Sequence, residues 1–479
     1  MNSHSSNPGT SRAPTWAQNL LPTVHPMANT AAPLRIAPLA AGATARSPVT
    51  PDADTAPRVL IVCENASARF GGEAALPLHY FRVLRQRGIR VWLITHARTR
   101  DELAKLFPNE PAIHYVEDTR LNRAMWAIGR RMPPRLSNFT MGFVSRLATQ
   151  LAQRRIARQL VATERIDVVH QPTPVSPREP SIMFDVGAPV VIGPMNGGMD
   201  YPKGFGKRNG LVEELVMRVG RASAALLNGL MPGKRKAALL LVANQRTRDA
   251  LPRGVCPNVV ELVENGVDLG LWRPSPSGSK PAAAGTPTRF IFLGRLVDWK
   301  SVDLLLAAFA QAASKAPMQL EIVGDGDERE GLETLAASLG LVGRGADSPG
   351  TVTFTGWLAQ AACAARLQQA DCLVLPSLLE CGGAVVLEAM SMAKPVIATA
   401  WGGPADYLDP SCGILVPATG REAFIAGLRD AMVQVASVPA MGAEMGANGR
   451  RKVHREYDWE VKVQRMLELY SVARAGQAA

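Results

Sequence analysis

No stretch of this chain offers the roughly 18 uninterrupted apolar residues that a spanning helix needs, and mean hydropathy lies near zero. Both facts argue against a polytopic membrane protein. The six cysteines (Cys63, Cys256, Cys363, Cys372, Cys381 and Cys412) lack metal-ligand or disulfide-framework spacing; reduced thiols of a cytoplasmic protein are the simplest account. Zinc-finger spacing is absent, as is any platform of aromatic and basic residues, so nucleic acid is not an expected partner. Neither of the two leading strands is followed by a Gly-x-Gly-x-x-Gly turn with a downstream ribose-binding acid, which argues against a dinucleotide dehydrogenase. Residues 1–57 are rich in Ala, Pro, Ser and Thr and carry no apolar h-region. They read as a disordered extension or a misassigned start, not a secretory signal.

What is present is the composition of a folded protein: 479 residues, 47% of them apolar. Two large domains plus a tail are expected at that length. From Arg58 onward, short apolar runs alternate with helical stretches. Val59–Cys63, Val91–Thr95, Ile166–His170, Pro189–Ile192, Leu239–Ala243 and Val259–Val263 read as strands, and Glu73–Arg87 as a helix. Alternation of this kind gives a parallel, doubly wound sheet. A Pro-, Ser-, Gly- and Ala-rich stretch interrupts it, and a second alternating set begins at Phe290. The expected fold class is therefore α/β, with two Rossmann-like domains facing each other across a cleft. The expected boundaries are 58–268 for the first domain, 269–288 for a hinge and 289–455 for the second domain. A final helix, 456–479, is expected to cross back onto the first domain.

Net charge is +12, and the excess is localised. Between Arg120 and Arg165 there are ten arginines against one acid, Glu164; between Tyr201 and Arg248, ten lysines or arginines against Glu213 and Glu214. Apolar residues recur at helical spacing among them, as in Leu211, Val212, Leu215, Val216 and Val219. Helices of that kind suit an anionic lipid surface or a phosphate-bearing lipid. The same pattern also fits a solvated basic face on a core helix.

The most informative segment runs from Asp371 to Met390. An apolar strand (Cys372 to Leu375) is stopped by Pro376-Ser377, a loop carries Glu380, Gly382-Gly383 open a helix at Ala384, and Glu388 sits inside that helix. Backbone N–H groups at a helix start attract an anion, and glycine lets a phosphate come close. The stretch reads as a diphosphate cradle with a carboxylate on each side. Gly294, Arg295 and Lys300 follow another strand, and a guanidinium with an ammonium matches two phosphate charges. Val323-Gly-Asp-Gly326 is a strand-to-helix turn whose Asp325-x-Asp327 pair is better explained by turn chemistry than by a metal. In the first domain, Gly71-Gly72 open a helix and would present N–H groups to an anion from the opposite wall. His96 and His170 stand at strand ends, where they either handle protons in the cleft or serve as structural histidines.

Together these residues resemble the family 4 glycosyltransferases, retaining enzymes of the GT-B fold. The resemblance is strongest from Asn265-Gly-Val-Asp268 to Pro417 and rests on Gly294-Arg295…Lys300, Val323-Gly-Asp-Gly326, Pro376-Ser377…Glu380-x7-Glu388 and Pro395-Val-Ile-Ala398…Gly402-Gly403. It implies that Arg295 and Lys300 hold the diphosphate of a nucleotide-sugar donor, helped by N–H groups near Gly383 and Ala384. Glu388 would accept hydrogen bonds from ribose hydroxyls, and Glu380 would contact the transferred sugar and stabilise charge at its anomeric carbon. No cofactor or metal is implied. The acceptor would be a saccharide or a lipid-linked sugar, in polysaccharide or glycolipid assembly on the inner face of the plasma membrane. The chain departs from the family pattern at Gly382, where many relatives carry an aromatic residue. It departs again at Pro194-Met195-Asn196, where many carry a histidine that Asn196 or His170 would replace. A nucleotide-sugar epimerase or hydrolase of the same fold, or a non-catalytic nucleotide-sugar binder, are the alternatives.

Overall fold

A computed structural model describes residues 56–132, 137–206, 224–275, 286–343 and 350–478. The basic segment containing Leu211 to Val219, most of the expected extension and the middle of the expected hinge lie outside the described residues. Within them, two parallel sheets form, as the alternation predicts. The first has seven strands: β1 (Val59–Val62), β2 (Val91–His96), β3 (Ile113–Val116), β4 (Val168–Gln171), β5 (Val190–Met195), β6 (Leu239–Val242) and β7 (Val259–Glu261), in the order β3-β2-β1-β4-β5-β6-β7. The second has six: β8 (Thr288–Leu293), β9 (Met318–Val323), β10 (Thr351–Gly356), β11 (Cys372–Leu375), β12 (Val396–Thr399) and β13 (Gly413–Val416), in the order β10-β9-β8-β11-β12-β13.

Central strands of such sheets are covered on both faces, so they need unbroken apolar runs in place of alternation. β1, Val-Leu-Ile-Val, and β11, Cys-Leu-Val-Leu, are buried at every residue. The covering helices relevant to function are α1 (Gly72–Gln86), α2 (Arg120–Gly129), α3 (Phe143–Glu164), α4 (Ala384–Ser391) and α5 (Trp459–Ala478). α1 buries Leu76, Tyr80, Phe81 and Leu84 against the first sheet. α5 joins that same core through Trp459, Val463, Met466 and Tyr470, although it follows the second domain in the chain. The return is pinned where Val267 N–H donates to the Tyr457 carbonyl at 2.8 Å and Trp459 N–H to the Val267 carbonyl at 3.3 Å.

In each sheet the chain winds outward one way from the first strand and then returns to wind the other way. The reversal falls between β1 and β4 in the first sheet and between β8 and β11 in the second. Open α/β sheets bind ligands in the crevice outside the carboxyl ends of the strands at such a reversal. Those two places hold the unusual residues.

Candidate functional site

At the reversal of the second sheet, Gly294, Arg295 and Lys300 follow β8, and Glu380 to Ala384 follow β11. Lys300 and Glu380 form an ion pair across the crevice, with both side chains mostly buried. The Arg295 guanidinium lies 5.9 Å from the Trp299 ring centroid. Gly383 caps α4 in the left-handed region, at φ 75°, and only its flexibility lets the first N–H groups of α4 be presented this way. The neighbouring turns close around this loop. Gly403 N–H donates to the Glu380 carbonyl at 2.8 Å, and a Cβ on Gly402 would strike that same carbonyl. Gly294 N–H donates to the Val323 carbonyl at 3.0 Å, so the Gly324–Gly326 turn packs directly under the cation-bearing loop.

Asp325 caps its own turn through Gly326 N–H at 2.8 Å and lies 3.5 Å from the Arg329 guanidinium. Among the described residues, no group of three or more His, Cys, Asp or Glu side chains is placed to hold a metal ion.

Glu388 is half-buried on α4, and desolvation by its surroundings pushes its carboxyl up to about 8. At neutral pH the folded protein therefore retains a proton that the unfolded chain, with an ordinary glutamate near 4.5, has already released. A raised acid destabilises the fold progressively as pH rises through that interval. Glu388→Gln should remove this dependence. Relative to the wild type, the variant should gain on the order of 2–4 kcal/mol between pH 5 and pH 8 in denaturant unfolding. Parallel pH profiles would contradict the raised-acid assignment.

At the reversal of the first sheet, a cavity of about 300 Å³ lies between the loops after β1 and β4 and the start of α1. Glu64, Asn65, Glu73, Gln171 and Glu179 line it, and Arg146 is held on Glu179 at 2.9 Å. Gly71, with φ 100°, and Gly72 open α1 next to Glu73, and neither would meet an obstacle if it carried a Cβ.

The sequence-based acceptor candidates are corrected by their surroundings. His170 is fully buried, with Nε2 2.7 Å from the Gly193 carbonyl and Nδ1 2.8 Å from the Tyr470 hydroxyl. Burial drives it down to about 4, so it is a neutral structural residue tying α5 to the first sheet. His96 is also buried; its Nδ1 accepts from Arg98 N–H at 3.2 Å, and its Nε2 lies 3.2 Å from Asp118. Asn196 is a strut between domains. Its amide donates to Glu264 at 2.7 Å and to the Cys381 carbonyl at 2.9 Å, leaving no proton for an acceptor.

Glu264 is the residue that sequence reasoning overlooked. It is buried, its Oε1 accepts from Asn196 and Asn265, and its Oε2 has no partner. A Cβ on Gly382 would collide with Glu264 and Asn265, which occupy the direction a side chain there would take. The absence of an aromatic residue at position 382 is thus matched by two polar side chains from the interdomain crossing. The only signal in the sequence was the acidic residue directly before Asn265-Gly-Val-Asp268. Further contacts join the loops of the two domains: Trp401 Nε1 donates to the Asp200 carbonyl at 2.8 Å, and Asp406 takes Asn244 at 2.8 Å and Arg246 at 3.3 Å.

Known proteins resemble the chain in sequence over its second domain and in overall fold. The profile of the family described as "Glycosyl transferases group 1" matches residues 278–452. A D-inositol 3-phosphate glycosyltransferase of Nocardioides sp. is 32% identical over 234 residues, covering 46% of this chain and 50% of the relative. One from Segniliparus rotundus is 31% identical over 233 residues, with 46% and 49% covered. The chain spans about half the length of the curated relatives it matches. In overall fold it is similar to HepE of Anabaena, solved in complex with UDP, at TM-score 0.60 and 18% identity, over 86% of this chain and 99% of that one. The profile lies on the sheet that carries Lys300, Glu380 and Glu388, and the two-sheet fold extends beyond it through the first domain. Over residues 278–452, therefore, the second domain is similar to the group 1 glycosyl transferases.

Proposed function

We propose that the protein transfers a sugar, with retention of configuration, from a nucleotide-diphosphate donor held by the second domain to an acceptor held by the first. The observation that carries this reading is the Lys300–Glu380 pair at the reversal of the second sheet, beside the α4 N-terminus. In the free protein the ammonium and carboxylate neutralise each other. An incoming diphosphate offers Lys300 a more highly charged partner, with Arg295 supplying the bidentate contact and the N–H groups of Gly383 and Ala384 the rest. Glu380 is thereby released toward the sugar, where a carboxylate stabilises positive charge developing at the anomeric carbon. Glu388, protonated when desolvated alone, ionises more readily once ribose hydroxyls donate to it. The cations supply the charge neutralisation that a divalent ion would otherwise provide, so the reaction needs no metal. UDP in the HepE complexes supports a uridine nucleotide as the first donor to test. A thermal-shift panel of nucleotide sugars should single out a stabilising donor. Product analysis by NMR should then show an acceptor glycoside with the donor's anomeric configuration. Free sugar or epimerised donor as the sole product would reassign the chain to a hydrolase or an epimerase.

The acceptor side points to a membrane surface and to polysaccharide or glycolipid assembly. Among the described residues no helix is long and apolar enough to cross a bilayer. α2 nevertheless exposes Leu121, Trp126 (65% exposed) and Ile128 beside Arg120, Arg123 and Arg130. The exposed Trp126 shares its side of the helix with Arg123 and Arg130, and a tryptophan flanked by arginines sits well at an anionic lipid interface. The full chain should float with anionic liposomes at low salt and be released as salt is raised. Absence of flotation at low salt would remove the membrane from this account.

A further inference from the structure

The cavity at the reversal of the first sheet has a larger neighbour of about 820 Å³, and Glu64 and Arg146 line both. The two chambers differ in charge. In the smaller, Arg146 is held by Glu179 at 2.9 Å and Glu64 by Arg98 at 3.4 Å, and Glu73, which accepts from Val175 N–H at 3.1 Å, makes a third carboxyl group against the one arginine in the lining. The larger is lined by four arginines (Arg98, Arg123, Arg130 and Arg146) against Glu64 and Asp118, and among the described residues neither Arg123 nor Arg130 is ion-paired to a carboxylate. The Arg130 guanidinium lies 4.8 Å from the Trp126 ring centroid, and Met125 and Met141 complete an adaptable apolar wall. Trp126 belongs to both this wall and the exposed face of α2, so the larger chamber opens where the chain would meet a lipid surface.

Phosphate matches the arginine chamber and is repelled by the carboxylate chamber. A polyhydroxylated ring matches the latter, where carboxylates and the amides of Asn65 and Gln171 accept and donate hydrogen bonds to hydroxyls. A volume of about 300 Å³ is at the lower end for a ligand pocket and takes one sugar ring. We propose that the two chambers are one acceptor site for an uncharged sugar carried on a lipid phosphate. The phosphate and the first part of the lipid lie among Arg123, Arg130 and Trp126, and the sugar lies among Glu64, Glu73 and Gln171. A phosphate carried directly on a free polyol, as in the named substrate of the curated relatives, would put its charge in the wrong chamber. The proposal rests on the transferase reading and assigns its acceptor.

Calorimetric titration of the full chain at low salt tests it, with octyl phosphate, octyl glucoside, inorganic phosphate and the glucosyl diester of octyl phosphate, each below its micelle concentration. Octyl phosphate should bind at least tenfold more tightly than octyl glucoside or inorganic phosphate, and the glucosyl diester at least threefold more tightly again. The double variant R123E/R130E should lose tenfold or more toward both phosphate lipids. UDP binding and the melting temperature should stay unchanged, since both side chains lie on the surface. Equal binding of octyl phosphate and inorganic phosphate, or no loss in the double variant, would overturn the lipid-phosphate assignment. No gain from the glucosyl group would overturn the sugar chamber. Failure of the wild type to bind UDP would instead undercut the transferase reading, leaving the four acceptor titrations interpretable on their own.

Discussion

Glu380→Gln should lower turnover by about 10²–10³-fold, the scale seen when one preorganised electrostatic group is removed from a reacting centre, while UDP binds at least as tightly as before. The second half of that expectation follows from the pairing. In the free protein Glu380 competes with the diphosphate for Lys300, and both side chains are mostly buried, so the competition is not fully screened by water. Replacing the carboxylate with an amide frees the ammonium, and a pair worth about 1 kcal/mol corresponds to roughly fivefold tighter nucleotide binding. Lys300→Met should do the opposite. It removes a phosphate contact, leaves Glu380 unpaired near the ligand's negative charge, and should weaken UDP by at least tenfold. Titration calorimetry with UDP and initial rates with the identified donor separate the two effects. If Glu380→Gln lost nucleotide affinity in step with turnover, Glu380 would be a binding residue and its assignment to the anomeric carbon would fail.

The second domain was legible because its signals are local. A fully apolar strand, a proline stop, a glycine pair and a helix all lie within twenty residues, and the structure assembles Glu380, Gly383 and Glu388 from that one segment. The same holds for Gly294, Arg295 and Lys300 after β8. Their partnership with Glu380 could be expected from shared chemistry, but not the direct ion pair, which joins side chains eighty positions apart. The half-buried strands β3 and β13 were missed; β3 mixes His114 and Tyr115 into a four-residue run that carries no clear period.

The first domain is less legible in the sequence because side-chain direction is not written in residue type. His170 lies within a strand covered on both faces, so it points into the core and onto Tyr470 from a helix three hundred positions later. Asn196 was a reasonable substitute for a histidine by position, yet its amide is spent on Glu264 and Cys381. Gly382 illustrates the same limit from the other side. Sequence shows a missing aromatic residue, whereas the structure shows that Glu264 and Asn265 already stand where its side chain would go. These contacts depend on how the two domains meet, which no local pattern encodes.

Three glycine substitutions should therefore part sharply, and the contrast tests which glycines serve the fold and which serve a ligand. Gly324 has φ 143°, and an added Cβ would be driven into the Gly294 carbonyl directly beneath the cation-bearing loop. Backbone has no rotamer with which to yield, so Gly324→Ala combines strain with a clash. It should cost about 3 kcal/mol or more, lowering the melting transition of the second domain by roughly 6–12 °C. Gly402→Ala meets the Glu380 carbonyl and the Met199 side chain at φ 69°, and should disturb the Glu380 loop as well as the fold. Gly72→Ala is the informative control. Position 72 is the first residue of α1, and a Cβ there meets nothing within 4 Å. Alanine in a helix also restricts the unfolded chain, so stability should hold or rise by up to about 1 kcal/mol. Any loss of activity in that variant then has to come from the ligand side, where a methyl group would stand between a backbone N–H and an approaching anion. We expect kcat/KM to fall about tenfold, equivalent to about 1.4 kcal/mol of transition-state stabilisation. A Gly72→Ala protein with unchanged melting and unchanged kcat/KM would take the Gly71-Gly72 turn out of the binding wall and leave the diphosphate to the second domain alone.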